Sequence, residues 1–276
     1  MREFCRLYSK NIGAVLGLAF IVLIVVMAAI APLIYSTGPF SLTGSQYARP
    51  FVENFPFGTD SLGRDVAAGI AWGARVSLLV GFATTLIAVF IGIVIGSLAG
   101  YFGGVIDSVL MRFTEIFQTI PSFLFGIVLV AIMSPSLNSV VLAIAVVTWP
   151  AVARLVRGEF LALRNREFVV AAVAMGMSDI RIILTQILPN TLSPIIVISS
   201  LMVATAILFE SGLSFLGLGD PNAMSWGFMI GAGRNALRTA WWVSTFPGVA
   251  ILLTVLAINL IGEGLNDALN PKLRDK

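Results

Sequence analysis

Histidine is absent from this 276-residue chain, cysteine occurs once (Cys5), and lysine occurs only at positions 10, 272 and 276. The first two shortages exclude a His/Cys metal site and a disulfide within the chain. None of the three lysines follows the glycine pattern of a phosphate-binding loop, so the chain holds no Walker-type ATPase of its own. Charge is scarce too, at 11% of residues, where soluble domains carry roughly a quarter. Alternating ten-residue strands are missing, which argues against a membrane β-barrel.

What remains is apolar. Hydrophobic residues make up 58% of the chain and the mean hydropathy is +0.98, as expected of an all-α integral membrane protein. About 20 apolar residues cross roughly 30 Å of hydrocarbon as a helix. Six runs meet that length, at about 12–34, 77–100, 114–134, 138–156, 193–213 and 246–265. The first follows Arg2, Arg6 and Lys10 and ends near an Ala29-Ile30-Ala31 cleavage-like string. Its length favours an uncleaved anchor, with a cleaved leader as the lesser alternative.

Lys and Arg in short loops set orientation. With a cytoplasmic N-terminus, the inner side carries Arg2, Arg6, Lys10, Arg112, Arg154, Arg157, Arg164, Arg166, Arg181, Lys272, Arg274 and Lys276. The outer side carries Arg49, Arg64, Arg75, Arg234 and Arg238. Twelve against five places both termini inside. The net charge of +3 then reflects topology and needs no nucleic-acid partner.

Between the spans, the outer segment from Ser36 to about Arg75 contains FGTDSLGRD (Phe57–Asp65). Its cap-type residues Thr59, Asp60 and Ser61 predict a short interfacial helix over about Ser61–Trp72. Gly92, Gly96, Gly100 and Gly104 recur every four residues, a stripe that lets a neighbouring helix approach closely. Asp107, Arg112 and Glu115 open the third span as anchors, and Pro121 bends it. Glu210, near the outer end of the fifth span, is either a functional group of the transport route or a carboxylate that caps a helix end or pairs across the bundle, with Arg234 or Arg238 as candidates. Ser211, Ser214 and Phe215 accompany it as candidates for an outer gate. The aromatic tract 214–245 predicts a re-entrant or interfacial helix.

The hydrophilic stretch Arg157–Asn190 lies on the inner side. Phe168, Val169, Ala172, Val173, Gly176, Ile180, Ile183 and Ile187 recur within it as one face of a short amphipathic helix or of a bent helix pair. Arg164, Arg166, Glu167, Asp179 and Arg181 lie opposite. Small residues at 171, 172, 174 and 176 suit a groove on a partner, Gly176 allows a bend, and Pro189 is expected to stop the helix. An amphipathic helix on the inner leaflet is the other reading.

Ala171, Ala172, Gly176, Leu188 and Pro189 resemble the cytoplasmic EAA loop of ABC importer permeases. FGTDSLGRD, WPAVARLVRGEFLALRNREFVVAA, ILPN, ESGLSFLGLG, SWG and NLIGEGLNDALNPKLR resemble, in order, the second permease subunit of the dipeptide/oligopeptide/nickel importers, over roughly residues 55–274. The loop departs from the pattern at Val170, where a Glu usually stands, and at Gln186, usually Ile. Ala68-Gly69 replaces a common Ser-Arg.

The resemblance implies a type I importer permease fold of six transmembrane helices. Its expected divisions are an N-terminal anchor and outer segment (1–72), a five-helix transport domain (73–265) and a tail (266–276). It implies a paralogous permease, two ATP-binding subunits and an extracytoplasmic solute-binding protein as partners, in a lipid inner membrane. ATP and magnesium would bind the partner subunits and no cofactor this chain. Coupling would fall to Glu167, Ala171, Ala172, Gly176, Ser178, Asp179, Arg181, Leu188 and Pro189. Peptides are the implied cargo, with nickel or a metallophore as runner-up. A secondary transporter is the rival outside the family, and no half-to-half repeat of the kind it needs is visible.

Overall fold

The computed structural model describes residues 2–52 and 54–269, with backbone alone for 2–5. Lys272, Arg274, Lys276 and most of the expected tail therefore lie outside the described residues. Among the described residues there is no strand, only three isolated bridges. A short helix α1 (Arg2–Lys10) precedes α2 (Ile12–Ile34), which is N-capped by the Asn11 side chain. The same Asn11 donates to Asp267 at 3.1 Å, tying the start of the chain to the last helix.

Among the described residues five helices are long and apolar enough to cross a membrane: α2, α3 (Val66–Phe102), α6 (Leu137–Leu163), the run Asp179–Phe215 that ends as α9 (Leu188–Phe215), and α11 (Trp242–Leu269). A bent pair of helices passes the same test together and, counted as one span, makes the sixth. The helices α4 (Gly104–Thr119) and α5 (Ser122–Met133) meet at 85° across Ile120-Pro121. Proline offers no N–H to the preceding turn, and the residue before it is driven to extended backbone. Ile120 obeys, at φ −93° and ψ 131°. The single third span expected over 114–134 is thus two short helices at a corner.

The expected separate helix at Ser61–Trp72 is the opening of α3 itself. Asp60 does not cap a helix, because its Oδ1 accepts from the backbone N–H groups of Leu62 and Arg64 in a turn. Gly63 then takes φ +79°, and Asp65 becomes the N-cap by accepting from Ala67 N at 2.8 Å. The boundary expected at residue 72 falls inside this helix.

α3 packs most extensively on α6. The glycine stripe makes this possible: a Cβ at Gly92 would lie 2.5 Å from Cβ of Val152, and one at Gly100 2.5 Å from Cβ of Phe160. Gly96 meets the Ala153 carbonyl in the same way. Gly104 does not belong to the stripe. It starts α4 at φ +54° with nothing near it.

The tract after α9 forms α10 (Trp226–Gly233) and a 3-10 turn at Arg234–Ala236, the short helix expected there. Trp226 is fully buried and donates through Nε1 to the Ile70 carbonyl at 3.0 Å. The segments 36–65 and 216–241 close one end of the bundle together. Thr59 is their knot: Oγ1 donates to Ser45 O and accepts from Ala48 N, while Trp242 Nε1 donates to Thr59 O at 3.1 Å. Phe57 stacks on Phe246 across the same joint, with centroids 4.5 Å apart.

Candidate functional site

The hydrophilic segment lies at the opposite end, between α6 and α9. Helix α7 (Glu167–Ala174) turns at Met175-Gly176 into α8 (Asp179–Ile182). The turn is a Schellman closure. Gly176 N donates to Val173 O at 2.9 Å, and Met177 N donates to Ala172 O at 3.2 Å. Gly176 stands at φ +74°, where a side chain is strained, although a Cβ there would meet nothing within 4 Å. The glycine is therefore required first by the backbone.

The segment has an inner and an outer face. Val169 and Ala172 from α7, Ile182, Ile183 and Ile187 join Val156 and Phe160 of α6 in one buried cluster. Burying such a side chain is worth about 1.5–3 kcal/mol, so this base holds the segment on the bundle. Val170, Val173, Met175 and Ile180 point the other way and are 56%, 56%, 74% and 70% exposed. The single helical face expected from the sequence is thus split. Ala172 looks into the chain, while Phe168, Val173 and Ile180, expected alongside it, look out. Glu167, Ala171, Gly176, Ser178, Asp179, Arg181 and Pro189 are exposed, and Leu188 is half-buried.

Three polar links brace this end. Tyr101, near the end of α3, donates to Asp179 Oδ1 at 2.7 Å. Arg157 forms a two-pronged pair with Asp107 of α4, its Nη2 lying 2.7 Å from Oδ2. Arg164 Nη1 reaches the Gly100 carbonyl at 3.5 Å. Asp107 was expected to be a solvated anchor. It is a structural tie instead, and no local spacing links residues 50 apart.

Pro189 does not stop the helix. Ile183–Ile187 widens into a π-turn, with Leu188 N donating to Ile183 O, and Pro189 sits in the first turn of α9. One extra residue per turn lets the chain pass a proline without a terminus. Asn190 Nδ2 donates to the Gln186 carbonyl at 2.6 Å and satisfies an acceptor at the widened turn.

At the other end, Glu210 is buried inside the chain, 3% exposed. Its Oε1 accepts from Ser214 Oγ at 2.6 Å, and Oε2 has no hydrogen-bond partner. Neither Arg234 nor Arg238 pairs with it; Arg234 donates to the Phe215 carbonyl at 3.4 Å. Ser211 and Ser214 are also buried, and Phe215 is 39% exposed. A Cβ at Gly227 would lie 2.5 Å from Ser211 Cα, so this group forms the joint between α9 and α10.

A cleft of ≈ 610 Å³ opens where the third crossing breaks, between α4, α5, α6 and α9. Gln118, Pro121, Thr148, Arg154 and Thr205 line it. None of these was singled out as a site residue from the sequence. The available signal was Val147, Ala151 and Arg154, which share one helical face.

Comparison with known proteins covers the whole chain. Residues 92–275 match the profile of a family described as binding-protein-dependent transport system inner membrane component. Residues 1–51 match the N-terminal transmembrane domain of oligopeptide transport permease C, a stretch that precedes all the motifs that carry the resemblance. The di/tripeptide transport system permease protein DppC of Pseudomonas aeruginosa is 40% identical, covering 100% of this chain and 93% of that protein. The dipeptide permease DppC of Alkalihalophilus pseudofirmus is 43% identical over 99% and 90%. The oligopeptide permease OppC of Haemophilus influenzae is 40% identical over 98% and 88%. Among solved structures, an inward-facing form of the MetNI methionine ABC transporter aligns with a TM-score of 0.61 at 18% identity, covering 73% of this chain and 96% of that one. This last likeness concerns the fold.

Proposed function

The chain belongs to the family of binding-protein-dependent transport system inner membrane components, and from that membership we propose that it forms half of a peptide-conducting path powered by separate ATPase subunits. The names of its relatives, all peptide permeases, support peptides over nickel or a metallophore. A paralogous permease supplies the other half, two ATP-binding subunits hold ATP and magnesium, and an extracytoplasmic binding protein delivers the solute. Both termini and the Glu167–Pro189 segment face the cytoplasm, following the arginine and lysine bias.

The observation that carries the coupling role is the split face of α7 and its turn. A water-facing segment that holds Val170, Val173, Met175 and Ile180 exposed while its base is buried is prepared for a partner. Ala171, Gly176 and Ser178 keep that surface low, and Glu167 and Arg181 flank it with charge. Ala172 and Leu188 act from beneath, joining the segment to α6 and α9, and Pro189 sits exposed in the first turn of α9. When ATP closes the motor subunits, the segment moves with them. The buried base and the helix continuous from Asp179 to Phe215 then pass that displacement into the bundle.

Val173→Asp tests this in proteoliposomes holding the whole importer. The substitution places a charge on the outward face, where Val173 is more than half exposed. Co-purification of the ATPase subunits and ATP-driven peptide uptake should both fall at least tenfold, with bundle stability unchanged. Full recovery of the ATPase subunits with Val173→Asp would refute the coupling surface.

A further inference from the structure

Arginines of α6 differ sharply in their partners. Arg157 is clamped by Asp107, and Arg164, just past the helix end, rests on the Gly100 carbonyl. Arg154, three residues before Arg157, is exposed and has no acid or carbonyl partner among the described residues, yet it lies within a membrane-crossing helix. It stands about 25 Å along α6 from Leu137. An unpaired guanidinium in such a helix must face water or meet a negative group that arrives from elsewhere.

The surroundings identify where it faces. Arg154 borders the ≈ 610 Å³ cleft at the corner between α4 and α5. A break of this kind leaves helix-end backbone groups without intrahelical partners, which is tolerated at membrane depth only beside protein or a wet cavity. Gln118 and Thr205 are exposed on the same cleft, and Thr148 is half-buried. The two threonine hydroxyls donate to the carbonyls of Ile144 and Leu201 within their own helices, which leaves their oxygens free to accept. The wall therefore offers neutral hydrogen-bonding groups and a single cation. The volume falls within the range of about 300–1,000 Å³ typical of sites for small ligands.

We propose that Arg154 receives the C-terminal carboxylate of the peptide as it crosses this cleft. The inference rests on the peptide-permease reading above and adds the residue that recognises the cargo. A guanidinium matches a carboxylate in two parallel hydrogen bonds. The carboxylate is shared by all free peptides whatever their side chains, and the amides along the main chain suit Gln118, Thr148 and Thr205. Such a site accepts varied sequences while holding one common end.

The experiment uses proteoliposomes with the complete importer, a dipeptide and its C-terminal amide. Uptake of each is divided by the ATP hydrolysed when the binding protein is saturated with that same peptide, which removes the binding protein's own preference. In the wild type, the free acid should cross at least fivefold more efficiently per ATP than the amide. Arg154→Gln should bring the acid down to the amide, and Arg154→Lys should keep at least half of the difference. Equal losses for both peptides in Arg154→Gln would mean that the arginine anchors to lipid phosphate, and would overturn the proposal, as would an undisturbed preference. Failure of the wild type to import either peptide would instead remove the peptide reading beneath it.

Discussion

The two ends of the bundle handle exposed loops in opposite ways. The end built from residues 36–65 and 216–241 closes on itself: Thr59 is fully buried with two hydrogen bonds, and Trp242 and Trp226 each find a buried carbonyl. The end built from 164–187 buries only its base and leaves six large apolar side chains outward, from Phe168 on α7 to Leu184 in the π-turn. The first end is a cap, laced by hydrogen bonds that tie its segments to each other and to α11, although Phe51, Leu42 and Trp241 stay 84%, 69% and 51% exposed. The second is a handle, fixed at its buried base alone. The two differ in how they are tied and not in how much apolar surface they leave outside.

The contrast can be broken most forcefully at the cap. Thr59→Val keeps the shape but strands the buried Ala48 N–H, a loss of about 1–3 kcal/mol. The unfolding midpoint of the purified chain should fall, while ATPase capture by the folded fraction stays intact. Loss of capture at equal fold would show that the two ends are not independent.

Gly176 sharpens the handle. At φ +74° a branched side chain costs about 1–2 kcal/mol, a factor of roughly 5–30, whereas Asn tolerates that region. Gly176→Val should weaken ATPase capture at least fivefold, and Gly176→Asn should stay within about twofold of wild type. Equal weakening by both would mean that the partner touches the glycine directly, so that close fit and not turn geometry sets the requirement.

The smallest effect is expected from Tyr101→Phe, which removes one hydrogen bond to Asp179 in a partly exposed place, about 0.5–1.5 kcal/mol. Hydrogen exchange should quicken over residues 179–187 and not around Thr59. Unchanged exchange over 179–187 would show that the buried base alone secures α8.

Much of this was legible in the residues, and the exceptions have definite causes. Gly92, Gly96 and Gly100 announced the close approach of α3 and α6, because a missing side chain on one helical face has few other uses in a membrane. Gly104 broke the series because the helix ends two residues earlier, at Phe102, and periodicity cannot register an end. The amphipathic face of 168–187 was half right. Val169, Ala172, Ile183 and Ile187 do point inward, but the Schellman turn at Gly176 and the π-turn at Ile183–Ile187 reset the helical phase. A single 3.6-residue count across both turns therefore sends Ile180 to the wrong side, whereas Val173, in α7 itself, lies off a buried stripe that is only Val169 and Ala172 wide. Asp60 looked like a helix cap and Asp65 is one, because Asp60 binds its own turn first.

Residence in a membrane, the six hydrophobic runs that cross it and the position of the hydrophilic segment were properties of the sequence alone. Each depends on the summed apolarity of neighbouring residues, which is written consecutively along the chain. Which arginine is clamped and which is free, which side of α7 faces outward, and that the third crossing opens a cleft at its corner were decided only by tertiary structure. Those outcomes depend on groups such as Asp107 and Arg157, or Tyr101 and Asp179, meeting across 50 or more residues. Their partnership follows from how helices pack and turn, and local composition carries no trace of it.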